Sequence, residues 1–93
     1  MEFVWSVQKA ATNFAKHGVS FEEAVTAFHD PLSRAIGDPD HSVDELRCLL
    51  IGLSARGRLL VVAHADLGER IRIVSARVGT RRERRTDEET RAE

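Results

Sequence analysis

The run Arg58–Ala65, RLLVVAHA, constrains this chain more than any other stretch. Leu59, Val61 and Ala63 fall on one side of an extended strand and Leu60 and Val62 on the other, because successive side chains point to opposite faces. A strand that is apolar on both faces belongs inside a sheet, with something covering each side. Two more strand candidates flank it, Glu45–Leu53 and Glu69–Ala76. The connections Ser54–Gly57 and Asp66–Gly68 are of hairpin length and contain Gly, so the three strands read as an antiparallel meander.

The first half of the chain can supply the cover. Glu2–Trp5 reads as a short strand, and Ser6 can cap a helix over Val7–His17 with Ala10, Ala11 and Phe14 as its inner stripe. Gly18 stands where helices usually end. Ser20 and Glu23 form a capping box for a second helix whose buried face is Phe21, Ala24, Val25 and Phe28, stopped at Asp30-Pro31. Leu32–Ile36 reads as an edge strand and Gly37–Ser42 as a loop. The expected fold is α+β in one domain, residues 1–93. Two N-terminal helices pack on a four- to five-stranded antiparallel sheet, and a polar C-terminal helix follows.

Net charge is −1, but it is unevenly spread. Residues 20–54 sum to −5 and residues 55–85 to +6. Of the 14 basic residues 12 are Arg, whose planar fork favours hydrogen-bonded recognition of anions. Cys48 is the single cysteine and sits in an apolar run, which excludes an intramolecular disulfide and favours packing over catalysis. No apolar run approaches a membrane span, and MEFVWSVQKA lacks the pattern of a secretion signal, so the expected location is cytoplasmic. His17, His29, His41 and His64 show no metal-ligand spacing, and no glycine-rich phosphate loop is present; no metal and no cofactor are expected.

The chemistry concentrates where the last strand hands over to the last helix. In ERIRIVSARVGTRRERR, residues 69–85, Ile71 and Ile73 alternate with Arg70 and Arg72. Arg77 has the parity of Ile71 and Ile73, so it is expected on a partly buried face where a carboxylate or anion must meet it. Thr80 and Glu83 form a capping box, and the helix they start opens with Arg81, Arg82, Arg84 and Arg85. From Arg81 onward only Ala92 is apolar, so this helix is expected to fray beyond Arg85 unless a partner holds it. Lys16 and His17 close the first helix, and Glu45 and Arg47 open a strand. Each has a plain structural reading as well, as a helix-end cation or an edge-strand charge.

Trp5, KHGVSFEEA at 16–24, the DP at 30–31, DPDHS at 38–42, IGLSARGRLLVVAH at 51–64, and IRIVSAR and TRRER at 71–77 and 80–84 together resemble the BrnT-type toxins, over nearly the whole chain. The resemblance implies a RelE-like ribonuclease of a type II toxin–antitoxin pair, cutting RNA without a metal and blocking translation. It also implies a cognate ribbon-helix-helix antitoxin, operator DNA bound through the complex, and a homodimer within that complex as a compatible arrangement. Carried onto this chain, the catalytic candidates are His17, Arg47, Arg77 and Glu45, and the RNA-binding candidates are Lys16, Arg81, Arg82 and His64. An imidazole, titrating near 6.5, suits either proton role in attack by a ribose 2′-hydroxyl. Related sequences commonly carry Lys where this chain has Val78 and Tyr where it has Asp87. The alternative is a non-catalytic nucleic-acid-binding or protein-interaction module that uses the same arginines.

Overall fold

The computed structural model describes residues 1–41 and 45–93. The chain runs β1 (Glu2–Val4), α1 (Val7–His17), α2 (Phe21–Ala27), β2 (Arg34–Gly37), a 3-10 turn at Pro39–His41, β3 (Leu46–Leu53), β4 (Leu59–Asp66), β5 (Arg70–Val78) and α3 (Arg81–Arg91). The loop expected through Ser42 lies partly outside the described residues. Five strands form one sheet in the order β1-β5-β4-β3-β2, which puts the doubly apolar β4 at its centre. β2, β3, β4 and β5 pair antiparallel, but β1 lies parallel to β5. The sheet is therefore mixed rather than wholly antiparallel. The antiparallel expectation rests on hairpin turns, and no turn joins β1 to β5, which lie more than sixty residues apart in the chain, so the direction a tight turn imposes does not apply to this pair.

Register sorts the side chains onto two faces. Leu50, Val62 and Ala76 lie side by side, as do Cys48, His64 and Ile73. These rows meet Val19, Phe21, Ala24 and Ala27, all fully buried, from α2 and the turn before it. Gly52 lets α2 sit this close, because a Cβ there would lie 2.8 Å from the carbonyl oxygen of Ala27. The aromatic rings close the core edge-on, Trp5 on Phe21 and Phe3 on Phe28.

α1 departs from the expected packing. Phe14 is 55% exposed and Ala11 is exposed, whereas Asn13 is buried. Its amide donates to the carbonyl of Ala76 and accepts from the Ala76 N–H, each at about 3 Å, and donates again to Val19. β1 ends at Val4 and pairs only with residues 70–72, so β5 would otherwise show bare backbone at Ala76. Asn13 acts as a side-chain continuation of the sheet, and α1 lies along the β5 edge. A buried polar contact outranked an apolar stripe because an unpaired buried peptide group is costly.

α2 carries half of the expected capping box. Ser20 accepts from the Glu23 N–H, but the Glu23 carboxylate turns inward to Arg58 and Ser54 and ties the β3–β4 hairpin to α2. α3 keeps its whole length instead of fraying. Its inward residues Glu83, Asp87 and Arg91 recur every four positions and form ion pairs with Arg77, Arg34 and Asp30. Arg77, Val61, Ile51 and Arg34 are register partners in one row across β5, β4, β3 and β2. α3 therefore crosses the sheet face opposite α2.

Candidate nucleic-acid interface

The strand arginines share one face. Arg72, Ala65 and Arg47 form one row, Ser75, Ala63 and Leu49 the next, and Arg77, Val61, Ile51 and Arg34 the third. Arg70 has the parity of Arg72 in the same strand. So Arg34, Arg47, Arg70, Arg72 and Arg77 all project from the face that α1 and α2 leave open.

A bulge makes this so. Ala63 pairs with Ser75 and its neighbour His64 with Ile73, leaving Val74 as the extra residue of β5. Parity flips at Val74, and Arg77 turns away from the face of Ile71 and Ile73. The expectation of a shared face is thereby corrected. A bulge inserts one unpaired residue and re-aims the side chains beyond it, a change that no two-residue period can reveal. The expected carboxylate partner does exist: Glu83 accepts from Arg77 Nη1 at 2.8 Å and Nη2 at 3.1 Å.

Glu45 bridges the first row. It accepts from Arg47 Nε at 2.9 Å and from Arg72. The Arg47 bond, joined by Arg72, holds its carboxyl below the ordinary range. In this arrangement the carboxylate ties the two guanidiniums together. Arg72 is not among the candidates drawn from the sequence. Its alternation with Ile71 and Ile73 already places it opposite the core, and that is the available signal.

His17 and Lys16 are exposed at the end of α1 and line a groove of about 580 Å³ with Lys9, Asn13, Val74 and Ser75. The groove opens on Ser75, which lies between Arg72 and Arg77 on the arginine face. With a rise of about 3.3 Å per strand residue, each of those arginines starts within roughly 7–10 Å of Ser75, its guanidinium held on Glu45 or Glu83. Lys16 and His17 thus share a groove with Ser75, a residue of the arginine face, while Arg47 and Arg72 are joined through Glu45.

Arg81 and Arg82 stand exposed on α3 with Arg84 and Arg85, and among the described residues none of the four has an ion pair. His64 lies elsewhere. It is 5% exposed on the core face, its ring 5.0 Å from Phe28, and burial pushes its pKa down. Its neighbours are core side chains, so the structure separates it from the exposed cations with which the sequence groups it. The two positions that depart from the toxin pattern have structural employment. Val78 packs on the core, and Asp87 is 3% exposed between Arg34 and Arg91.

Among the described residues no group of three or more His, Cys, Asp or Glu could hold a metal ion. His41 does contact Asp38, at 2.9 Å. No helix among them is long and apolar enough to cross a membrane.

Residues 5–83 match the family described as the ribonuclease toxin BrnT of type II toxin–antitoxin systems. Among solved structures, the ribonuclease toxin BrnT of Brucella abortus is similar, with a TM-score of 0.59 over 87% of this chain and 99% of that one. Sequence identity is 23%, so the likeness carries the fold. A comparison with curated proteins finds no match.

Proposed function

The chain belongs to the BrnT family of type II ribonuclease toxins, and from that premise we propose that it cuts RNA on the arginine face of its sheet. The observation that carries this reading is the gathering of all five strand arginines on one face, with His17 in a groove that also takes in Ser75 of that face. A phosphodiester entering there meets guanidiniums that are already oriented, so little reorganisation is needed as charge develops.

The reaction is in-line attack of a ribose 2′-oxygen on the adjacent phosphorus. The O2′–P bond forms and the P–O5′ bond breaks, giving a 2′,3′-cyclic phosphate and a free 5′-hydroxyl. The 2′-proton goes to a base and the O5′ atom receives one from an acid; in this reading one of these transfers falls to His17, which lines a groove with Ser75. Arg72 and Arg77 neutralise the phosphorane and Arg47 a neighbouring phosphate. In this reading no metal takes part. Lys16, Arg81 and Arg82, with Arg84 and Arg85, hold the flanking backbone, where unpaired guanidinium is most useful. Translation arrest, neutralisation by a ribbon-helix-helix antitoxin and repression of the operator by the complex complete the same reading.

The test is induced expression in a bacterial host, with RNA integrity followed over time and product ends mapped on purified protein. Wild type should arrest growth and leave cyclic phosphate ends. Arg77→Ala should lower cleavage by about 10²–10³-fold, the usual loss when one charge-stabilising donor is removed, and Arg47→Ala should also lower it. A folded Arg77→Ala that still arrests growth removes the assignment. Salt-dependent RNA binding with no cleaved product would instead support the purely binding module.

A further inference from the structure

We propose that Glu83 is a positioning residue for Arg77, so that the capping box of α3 doubles as a clamp on the phosphate-binding guanidinium; this rests on reading the arginine face as the RNA-cleaving surface. One carboxylate performs both tasks. Glu83 Oε1 accepts from the Thr80 backbone N–H at 2.8 Å and from Arg77 Nη1 at 2.8 Å, and Oε2 accepts from Arg77 Nη2 at 3.1 Å. The Glu83 N–H donates back to Thr80 Oγ1 at 3.1 Å, which closes the box; the carboxylate itself is held by the Thr80 backbone N–H.

The geometry leaves room for a ligand. A guanidinium has two edges that can donate in parallel, one at the Nη1/Nη2 end and one along Nε and Nη2. Glu83 takes the end. The second Nη1 hydrogen is directed back toward the Val78 carbonyl, 3.4 Å away. Among the described residues the Nε–H and the remaining Nη2–H have no partner, and the Arg77 side chain is 42% exposed. That side edge is the one a phosphate takes with two bonds. Glu83 therefore holds the fork from behind and presents its free edge. Arg77 sits at the end of a strand and Glu83 in the first turn of the next helix, so both ends of the clamp are on rigid elements. Hydrogen bonding to Arg77 holds the Glu83 carboxyl near 2, so the clamp stays charged across the physiological range.

The opposite reading has Glu83 as an internal competitor that phosphate must displace. The two differ in sign. Glu83→Gln keeps the box, because Glu and Gln both close it, but offers one acceptor oxygen and no charge. Binding is read by fluorescence anisotropy with a non-cleavable 2′-O-methyl RNA oligonucleotide, and cleavage with the same sequence unmodified. Glu83→Gln should weaken binding and slow cleavage by about tenfold, a change of about 1.4 kcal/mol. Both losses should vanish in an Arg77→Ala background, because the coupling runs through that one side chain. Tighter binding by Glu83→Gln, unchanged behaviour, or a loss that persists without Arg77 would each overturn the clamp. Thr80→Ala, which weakens the cap and spares the carboxylate, separates helix stability from positioning. It should leave RNA affinity near wild type, and a loss equal to that of Glu83→Gln would overturn the clamp. If wild type fails to cut RNA, the ribonuclease reading falls, while the binding arm still decides the clamp.

Discussion

α2 and α3 cover opposite faces of the same sheet and are held there by opposite means. α2 buries Phe21, Ala24 and Ala27 completely against Leu50, Leu60 and Val62. α3 presents Glu83, Asp87 and Arg91 and is held by ion pairs to Arg77, Arg34 and Asp30. Apolar burial is non-directional and is not weakened by ionic screening, whereas each α3 contact needs a particular charge at a particular place. The polar helix is possible because Asp87, 3% exposed, is met by two arginines, Arg34 and Arg91. A buried charge with partners is tolerated; one without them is not. The α2 side of the sheet is thus held by apolar burial, and the α3 side by paired charges.

The largest effect expected from breaking this contrast is on the apolar side. Phe21→Ala should cost about 3–5 kcal/mol, as a fully buried ring leaves a cavity behind. Urea unfolding measures it, and the loss should be the same in low and high salt. On the ionic side, Arg91→Ala strips a guanidinium from both Asp30 and Asp87. It should cost about 2–3 kcal/mol, felt mainly in α3. Hydrogen exchange should show α3 amides losing protection while β4 amides keep theirs. Equal loss in both elements would mean that the two sides are one cooperative unit.

Acid should sharpen the contrast with a smaller effect. Hydrogen bonds from Arg91 hold Asp30 near 2, and those from Arg77 hold Glu83 near 2, against ordinary values of 3.8 and 4.5. Both are depressed in the folded state, so their stabilisation is fully present above about pH 4.5 and is lost as pH falls toward 2. After allowance for solvent screening, each contributes on the order of 1 kcal/mol. Helical circular dichroism should fall across that window before the core melts, and Asp30→Asn should flatten the transition.

Much of the fold is legible in local pattern. The helix expected over Val7–His17 has those bounds in the structure, because a Ser cap and a left-handed Gly act within a few residues of the helix they bound. The capping box at Thr80 and Glu83 places the start of α3 for the same reason. Of the candidates, Arg47 and Arg77 lie on one sheet face, Lys16 and His17 line the groove beside α1, and Arg81 and Arg82 stand exposed on α3. Histidine at 64 cannot be sorted this way, since an imidazole on a doubly apolar strand faces either side with equal ease.

What the sequence by itself determined is the order of the elements, the central place of β4 and the concentration of arginine around β5. Those features rest on periodicity and on hydrogen bonds between near neighbours. The tertiary structure decided which face Arg77 joins, why α1 turns Asn13 inward, and what holds α3. Each depends on partners far apart in the chain: Ala63 with Ser75 across the bulge, Asn13 with Ala76, Asp30 with Arg91. A residue's partner at such a distance is chosen by the packing of the whole sheet, and no local window of sequence contains it.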